Sequence, residues 1–270
     1  MSTDELIARY SEASPRSREL FAAGRTYTAG AAKGAYFYPP HPLTMIRGEG
    51  CYLWDVDGRR YADCANHHTA QILGHGDPAV NAAVHEQLKK GIALGTPTGI
   101  ESEIALEMCR RVDSIDRIRF VNSGTEATLH AIRLARGLAQ KGKIAKFEGG
   151  YHGSHDAVEI SVAPPLDQAG PADAPSSVPT AGGISPTAAS EVLVLPYNDE
   201  EAVERLVSAH ADELACVLLD PKCGIIEIRP EFVRAVREIT RRHGILLIFD
   251  EIVGFRTDIG GLQKVYGIEP

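Results

Sequence analysis

Three short polar motifs each follow an apolar run, and each has residue types that could do chemistry. The first is Asn122-Ser123-Gly124-Thr125-Glu126-Ala127, which is predicted to open a helix. Hydroxyl residues and a glycine at a helix N-terminus leave backbone N–H groups free at the positive end of the helix dipole, which suits a phosphate. The alternative interpretation is a plain N-cap by Ser123 or Thr125, with Glu126 favouring the first turn.

The second and third motifs carry an aromatic pair and an acid. Residues 148–153 read Glu-Gly-Gly-Tyr-His-Gly, whose glycines let a ligand approach the backbone and whose Tyr151 and His152 could stack on a ring. Ordinary loop surface is the alternative. Asp250 opens the motif Asp-Glu-Ile directly after a wholly apolar strand, where an acid is unfavourable to bury without a cationic partner. A protonated ligand nitrogen would be such a partner, and a metal carboxylate or a solvated edge are the alternatives.

A parallel sheet would bring these motifs together. Short apolar strands alternate with amphipathic helices, which is typical of an α/β fold whose parallel sheet is covered by helices on both faces. The strands are predicted at 117–121, 144–147, 192–195, 214–219 and 245–249, and the helices at 78–90, 101–112, 125–140, 199–211 and 231–243. Such sheets bind ligands at the carboxyl ends of their strands, which is where the motifs fall.

The N-terminal part of the chain has a different pattern. Residues 3–24 predict a helix interrupted near Pro15, and apolar runs on either side of Asp57-Gly58 predict a β-hairpin. We divide the chain into an N-terminal helix and hairpin segment, residues 1–75, and a large domain, residues 76–270.

The segment 163–190 interrupts the alternation of strands and helices. Ala, Gly, Pro, Ser and Thr make up 22 of its 28 residues, so it has little apolar surface with which to order itself. A stretch of this length without regular structure is either disordered or a functional loop over a site.

A competing motif is Gly74-His75-Gly76-Asp77-Pro78-Ala79, which matches a dinucleotide-binding fingerprint in form. It would make the protein a nucleotide-dependent oxidoreductase. The context is poor for that function, because Pro78 lies inside the turn and no series of strands and helices precedes it.

The composition excludes several classes of function. Lys plus Arg is 28 against 36 for Asp plus Glu, a formal charge of −8, which argues against binding to nucleic acid or an anionic membrane. The five cysteines form no CxxC pair, which indicates reduced thiols, and no histidine or cysteine pairs have metal-ligand spacing. The N-terminus has no signal-peptide pattern and no apolar run could span a bilayer. We therefore expect a cytoplasmic protein without a metal.

Four ordered motifs together resemble class III aminotransferases, which depend on pyridoxal 5′-phosphate. They are NSGTEA at 122–127, KFEGGYHG at 146–153, LPYND at 195–199 and LLIFDEIVGFR at 246–256. Within the class, the chain is most similar to glutamate-1-semialdehyde aminomutase and to related aminotransferases, including those that act on β-amino acids. The resemblance begins at about residue 35 and implies the large domain of the aspartate-aminotransferase fold.

The resemblance implies a role for each motif residue. The implied cofactor ligands are Ser123, Gly124 and Thr125 for the phosphate, Tyr151, His152 and Ile252 for the ring, and Asp250 for the pyridine nitrogen. Asn122 and Glu126 would support the turn, and Asp220, which stands where relatives usually have glutamate before a proline, would place a carboxylate near the cofactor. Arg47 and Arg256 are candidates for binding a substrate carboxylate, by charge alone.

The family also implies a catalytic lysine beyond the Asp-Glu motif, which forms a Schiff base with the cofactor. None of the eight lysines of the chain matches that position, and only Lys264 follows Asp250. We therefore expect the catalytic lysine beyond Pro270 and interpret the chain as the N-terminal part of a longer enzyme, without its C-terminal domain. That enzyme would be a homodimer that moves an amino group between a small-molecule donor and acceptor. The alternative is a remnant that binds the cofactor without turnover.

Overall fold

The structure is a computed structural model that describes residues 1–29, 40–222 and 227–270. They form two compact units, Met1–Gly95 and Thr96–Pro270. The domain boundary expected after residue 75 remains a prediction about the complete protein. Cys223 lies outside the described residues, and the thiols of Cys51, Cys64, Cys109 and Cys216 are free.

The first unit contains helices and a small antiparallel sheet with the strand order β1-β2-β3. Its elements are α1 (Thr3–Ala13), α2 (Pro15–Gly24), β1 (Met45–Glu49), β2 (Tyr52–Asp55), β3 (Arg60–Ala62), the short turn α3 (Asn66–Thr69) and α4 (Pro78–Leu88). The predicted helix break is confirmed, because α2 begins at Pro15. Proline is favourable at the first position of a helix, since the backbone N–H that it lacks would have no acceptor within the helix there. The predicted hairpin is also confirmed, and Gly58 supplies its positive φ of 88°.

Asp57, in the β2–β3 turn, fixes the start of α2. Its carboxylate accepts hydrogen bonds from the backbone amides of Arg16 (2.9 Å) and Ser17 (3.1 Å) and from the Ser17 hydroxyl (2.9 Å). A negative charge at a helix N-terminus is favourable. Burial opposes the ionised form, but these donors outweigh it and hold the pKa of Asp57 below its usual range.

The second unit is built around a parallel sheet. Its elements are α5 (Gly99–Arg111), α6 (Gly124–Ala139), β4 (Lys143–Phe147), α7 (Pro186–Ser190), β5 (Val192–Leu195), α8 (Glu200–Ala209), β6 (Leu214–Leu219), α9 (Pro230–Arg242), β7 (Leu246–Phe249) and α10 (Gly261–Tyr266). The four strands lie in the order β5-β4-β6-β7, and every pair is parallel. The predicted α/β class and parallel sheet are confirmed.

Both faces of this sheet are buried, as the apolar strands predicted. Alternate residues of a strand point to opposite faces, and the two faces of β4 show this clearly. Ala145 and Phe147 belong to a core that includes Phe232 of α9, while Ile144 belongs to a second core that includes Ile132 of α6.

The predicted strand at 117–121 is wrong. These residues have no regular secondary structure, and no strand ladder in the described chain includes them. The apolar pattern correctly marks a segment with strand propensity, but a strand also needs a neighbour that supplies hydrogen bonds. Phe120 remains 45% exposed.

Of the two alternatives for residues 163–190, disorder and a functional loop, the structure favours an ordered segment. The segment is held by hydrogen bonds and ends in α7: the Ser177 hydroxyl donates to the Val192 carbonyl (2.5 Å), and the Thr180 amide donates to the Glu159 carbonyl (3.0 Å). Composition predicts little apolar burial, but it does not reveal such polar contacts. That the segment is a loop over a site remains a prediction.

The 74–79 motif does not have the context of a dinucleotide fingerprint. The short turn α3, not a strand of a parallel sheet, precedes it, and His75 forms an isolated antiparallel bridge with Gly50. The carboxylate of Asp77 caps α4 itself, through the amides of Ala79 (3.0 Å) and Val80 (2.9 Å). The residues that the structure describes include no helix of the length and apolarity needed to cross a bilayer.

Candidate functional site

The carboxyl ends of the parallel strands bring acidic residues to one edge of the sheet. Glu148 follows β4, and its amide donates to the Leu195 carbonyl of β5 (2.9 Å). Asp220 follows β6, and Asp250 follows β7, where its amide continues the ladder to the Leu219 carbonyl (2.8 Å). The second and third motifs therefore leave the sheet at the same edge.

The first motif forms the N-terminus of α6. The Ser123 hydroxyl is the N-cap and accepts a hydrogen bond from the Glu126 amide (3.1 Å), while the Glu126 carboxylate accepts one from the Asn122 amide (2.6 Å). The N-cap interpretation thus holds for Ser123. It leaves the amides of Gly124 and Thr125 in the first turn, where a helix offers them no acceptor. These donors and the helix dipole favour an anion at this end of α6.

The second motif is held against the start of α6. The Thr128 hydroxyl donates to the His152 carbonyl (2.6 Å), and the Ser154 amide donates to the Thr125 hydroxyl (3.0 Å). Gly153 has a φ of 100°, and a β-carbon there would lie 2.7 Å from Thr125 Cα. The loop and the helix are therefore too close for any other residue at position 153.

The third motif contacts the same helix end. A β-carbon on Gly124 would lie 2.8 Å from Ile252 Cδ1, so the isoleucine side chain packs on the glycine backbone. The Ile252 amide donates to Asp250 Oδ1 (3.1 Å), which fixes the turn between the two residues. Ile252 and Tyr151 remain 55% and 57% exposed, so both side chains are open to a ligand.

His152 and Asp250 form a buried pair in the same site. His152 Nδ1 lies 2.7 Å from Asp250 Oδ2, and the two residues are 1% and 8% exposed. An ionised carboxylate can only accept, so the imidazole carries its proton on Nδ1. His152 Nε2 is buried and has no hydrogen-bond partner among the described residues.

Asp220 is a second buried acid at this edge, 7% exposed. Burial is the main cause that raises its pKa to about 6, and the charge of Asp250 adds to it. A hydrogen bond from the Lys222 amide (2.8 Å) and the nearby His152 act in the opposite direction. Two buried acids and a histidine at the end of a parallel sheet are typical of a functional site.

The sequence reasoning did not single out three side chains that support the site. Thr128 contacts the His152 carbonyl, as described above. Tyr197 stacks on Phe147 with ring centroids 4.8 Å apart, and its hydroxyl donates to the Asp220 carbonyl (3.0 Å). Lys146 is fully buried on β4, and its Nζ donates to the Ile160 carbonyl (2.6 Å). A lysine between the apolar residues Ala145 and Phe147 is a signal that could have revealed the last of these.

Other candidates from the sequence have local partners. Arg256 Nη2 donates to the Val253 carbonyl (2.5 Å), and Arg47 pairs with Glu49 and lies 4.5 Å from the Trp54 ring centroid. The described residues contain no group of three or more His, Cys, Asp or Glu side chains that could hold a metal ion.

Comparison with known proteins gives consistent matches over nearly the whole chain. Residues 35–260 match the family Aminotransferase class-III. The glutamate-1-semialdehyde 2,1-aminomutase of Methanocaldococcus jannaschii is 39% identical over 260 residues, which cover 94% of this chain and 59% of that protein. The chain thus spans about three fifths of the length of that relative.

Solved structures of aminotransferases share the fold. An omega-transaminase from Sphaerobacter thermophilus has 40% identity and a TM-score of 0.88, covering 94% of this chain and 59% of that one. A β-phenylalanine aminotransferase from Variovorax paradoxus has 35% identity and a TM-score of 0.84, covering 98% of this chain and 58% of that one.

Proposed function

Because the chain belongs to the class III aminotransferase family, we propose that its second unit binds pyridoxal 5′-phosphate and that the complete protein transfers an amino group. The reaction is that of an aminotransferase or of a glutamate-1-semialdehyde-type aminomutase, on a small amino donor and acceptor. We further propose that the complete protein is a homodimer and is cytoplasmic.

One observation carries this proposal: the three motifs meet at the N-terminus of α6, with a buried acid among them. The cofactor is a flat ring with a phosphate and a basic nitrogen. The residues that meet here include a suitable partner for the phosphate, for each ring face and for the nitrogen. The Ser123 and Thr125 hydroxyls and the first amides of α6 suit the phosphate. Tyr151 and Ile252 suit the two ring faces, and Asp250 suits the nitrogen.

The site is also shaped for a close-fitting ligand. A β-carbon at Gly153 would collide with the backbone of Thr125, so this position needs a glycine, whereas a β-carbon at Gly124 would displace the end of the Ile252 side chain. Asp250 has each oxygen fixed, one by His152 and one by the Ile252 amide. A carboxylate has about four lone-pair positions, so it can still accept from a ligand N–H group.

When bound, the cofactor supplies an electron sink that stabilises negative charge on a substrate carbon. Asp250 would hold the proton on the pyridine nitrogen, since an anion at that atom favours its charged form. His152 would orient Asp250, and the N-terminus of α6 would hold the phosphate in place. Asp220, with its pKa raised to about 6, would add a carboxyl group that changes charge near neutral pH.

Lys264, which follows Asp250 in the sequence, pairs through its Nζ with Asp258 (3.2 Å), and its side chain is 59% exposed. These contacts give Lys264 no role in the proposed site.

Binding of pyridoxamine 5′-phosphate by isothermal titration calorimetry tests the proposal, because that form already carries its amino group and needs no lysine. We expect saturable binding by the chain and a loss of about tenfold or more in Asp250→Asn, which cannot carry the charge. Glu238→Gln is the control, since Glu238 is exposed on α9 and pairs with Arg241 (2.7 Å). Absence of binding by the wild-type chain, or binding of NADH instead, would contradict the proposal.

A further inference from the structure

Ser161 is a fully buried residue with an unusual backbone. Its relative exposure is 0%, and its φ is 49°, in the left-handed region that residues with a β-carbon avoid. Such a conformation persists only where surrounding contacts hold it in place. Ser161 lies two residues before the segment 163–190, to which the proposed function assigns no role.

The side chain of Ser161 supplies these contacts. Its hydroxyl donates to the Ser176 carbonyl (2.6 Å) and accepts from the Val178 amide (2.9 Å). The Ser161 amide also donates to the Val178 carbonyl (2.7 Å). Three hydrogen bonds to residues 176–178 therefore hold the backbone of Ser161 in the left-handed conformation.

The backbone of Ser161 is in turn connected to the candidate site. Its carbonyl accepts a hydrogen bond from the Gly149 amide (2.8 Å), at the start of the loop that carries Tyr151 and His152. The preceding carbonyl, that of Ile160, accepts from the buried Lys146 Nζ (2.6 Å). A change in the φ angle of Ser161 would turn its carbonyl away from Gly149.

We propose that Ser161 is a positioning residue for the candidate cofactor site. Its hydroxyl fastens residues 176–178 to the loop after β4, and this contact fixes the positions of Tyr151 and His152. The segment 163–190 is therefore a brace for the site and not a mobile lid. This inference rests on the proposed function, since the loop matters only if Tyr151 and His152 contact the cofactor.

Two substitutions at position 161 distinguish the effect of losing the hydroxyl from the effect of relieving the backbone strain. Ser161→Ala removes the hydroxyl and leaves the β-carbon in the left-handed region, whereas Ser161→Gly removes both the hydroxyl and the strain. Ser177→Ala is the matched control, because it removes a neighbouring hydroxyl that bonds to β5 and not to Ser161. Each variant is titrated with pyridoxamine 5′-phosphate by calorimetry and by near-ultraviolet circular dichroism of the bound cofactor.

We expect both Ser161 variants to bind pyridoxamine 5′-phosphate about tenfold more weakly than the wild type. A loss of this size corresponds to roughly one hydrogen bond. We also expect the dichroism per bound cofactor to change, because the ring would sit differently against Tyr151. Ser161→Gly should show these changes even if its midpoint of urea unfolding equals that of the wild type. Ser177→Ala should bind the cofactor with wild-type affinity and show the wild-type dichroism.

Wild-type affinity and dichroism in both Ser161 variants, or an equal loss in Ser177→Ala, would overturn the inference while leaving the proposed function intact. Failure of the wild-type chain to bind the cofactor would instead overturn the proposed function, and the role of Ser161 with it. Hydrogen exchange at the Gly149 amide, measured without cofactor, should be faster in Ser161→Ala. An unchanged rate would show that Ser161 does not hold the loop.

Discussion

His152 Nδ1 lies 2.7 Å from Asp250 Oδ2, although the two residues are 98 positions apart in the chain. The contact joins the loop after β4 to the end of β7, across β6, which lies between these strands in the sheet. Asp220, at the end of β6, is influenced electrostatically by both residues. The three groups therefore form one electrostatic unit at the edge of the sheet.

The first prediction is that His152→Phe weakens both the fold and the site. The phenyl ring conserves the shape of the side chain but removes the N–H donor, so Asp250 loses a buried hydrogen bond. We expect the free energy of unfolding in urea to fall by about 1–3 kcal/mol and the affinity for pyridoxamine 5′-phosphate to fall about tenfold. His85→Phe, on an exposed position of α4, is the control. Wild-type stability and affinity in His152→Phe would show that the pair is not important.

The second prediction concerns the pH dependence of stability through Asp220. Its pKa in the folded state is about 6, above the ordinary unfolded value of about 3.9. Between these values the folded state binds more protons than the unfolded state, so stability decreases as the pH rises through this window. Above this window, the loss of stability caused by ionising the buried Asp220 is constant. It is at most about 3 kcal/mol for a shift of about two pKa units.

The substitution Asp220→Asn tests whether stability decreases with pH in this direction. The amide stays neutral and can still accept from the Lys222 amide, so the variant avoids the penalty. We expect it to be more stable than the wild type at about pH 7.5, and nearly equally stable at about pH 3, where the Asp220 carboxyl is largely protonated in both the folded and the unfolded state. Urea unfolding at several pH values measures the difference. A wild-type protein that is the more stable of the two at the higher pH would contradict the prediction.

The third prediction is that Asp57 has the opposite pH dependence. Its pKa is held below the usual range by the amides and hydroxyl at the start of α2, against the effect of burial. Its contribution to stability is therefore present above the unfolded pKa and is lost as the pH falls through the folded value. We expect Asp57→Asn to accelerate hydrogen exchange at the Arg16 and Ser17 amides at neutral pH. Unchanged exchange at both amides would contradict this.

Local patterns in the sequence predict the parts of the site that lie at strand ends. The apolar runs before Glu148 and Asp250 identify buried parallel strands, and such strands end at a common edge. The structure accordingly brings His152 and Asp250 together. The family and the fold class implied by the four motifs are confirmed by the match over residues 35–260 and by the structural relatives.

Contacts between distant segments were not predictable from local patterns. Residues 117–121 have the composition of a strand, but pairing depends on neighbours that a local pattern does not contain. Ser161 and Thr128 are ordinary hydroxyl residues in the sequence. Their importance comes from hydrogen bonds to residues 15 and 24 positions away. For the same reason, the composition of residues 163–190 could not decide between disorder and an ordered loop.

The last prediction uses the contact between Gly124 and Ile252. A β-carbon at position 124 would lie 2.8 Å from Ile252 Cδ1, the flexible end of a half-exposed side chain. Ile252 can therefore move aside at little cost in stability, but it would leave the position proposed for the ring face. Gly137→Ala is the matched control on the same helix, since a β-carbon there meets no atom within 4 Å. It should stabilise the protein by roughly 0.5–1 kcal/mol, because alanine favours helix.

We expect Gly124→Ala to leave the free energy of unfolding nearly unchanged and to weaken binding of pyridoxamine 5′-phosphate about tenfold. Ile252→Val removes Cδ1 and so provides space for the new methyl group. In that background the same glycine substitution should lower the affinity by less than about threefold, because residues in contact have non-additive effects. Calorimetric titration of the four proteins gives the coupling between the two positions. An equal loss of affinity in both backgrounds would show that Gly124 acts independently of Ile252, through the backbone of α6 alone.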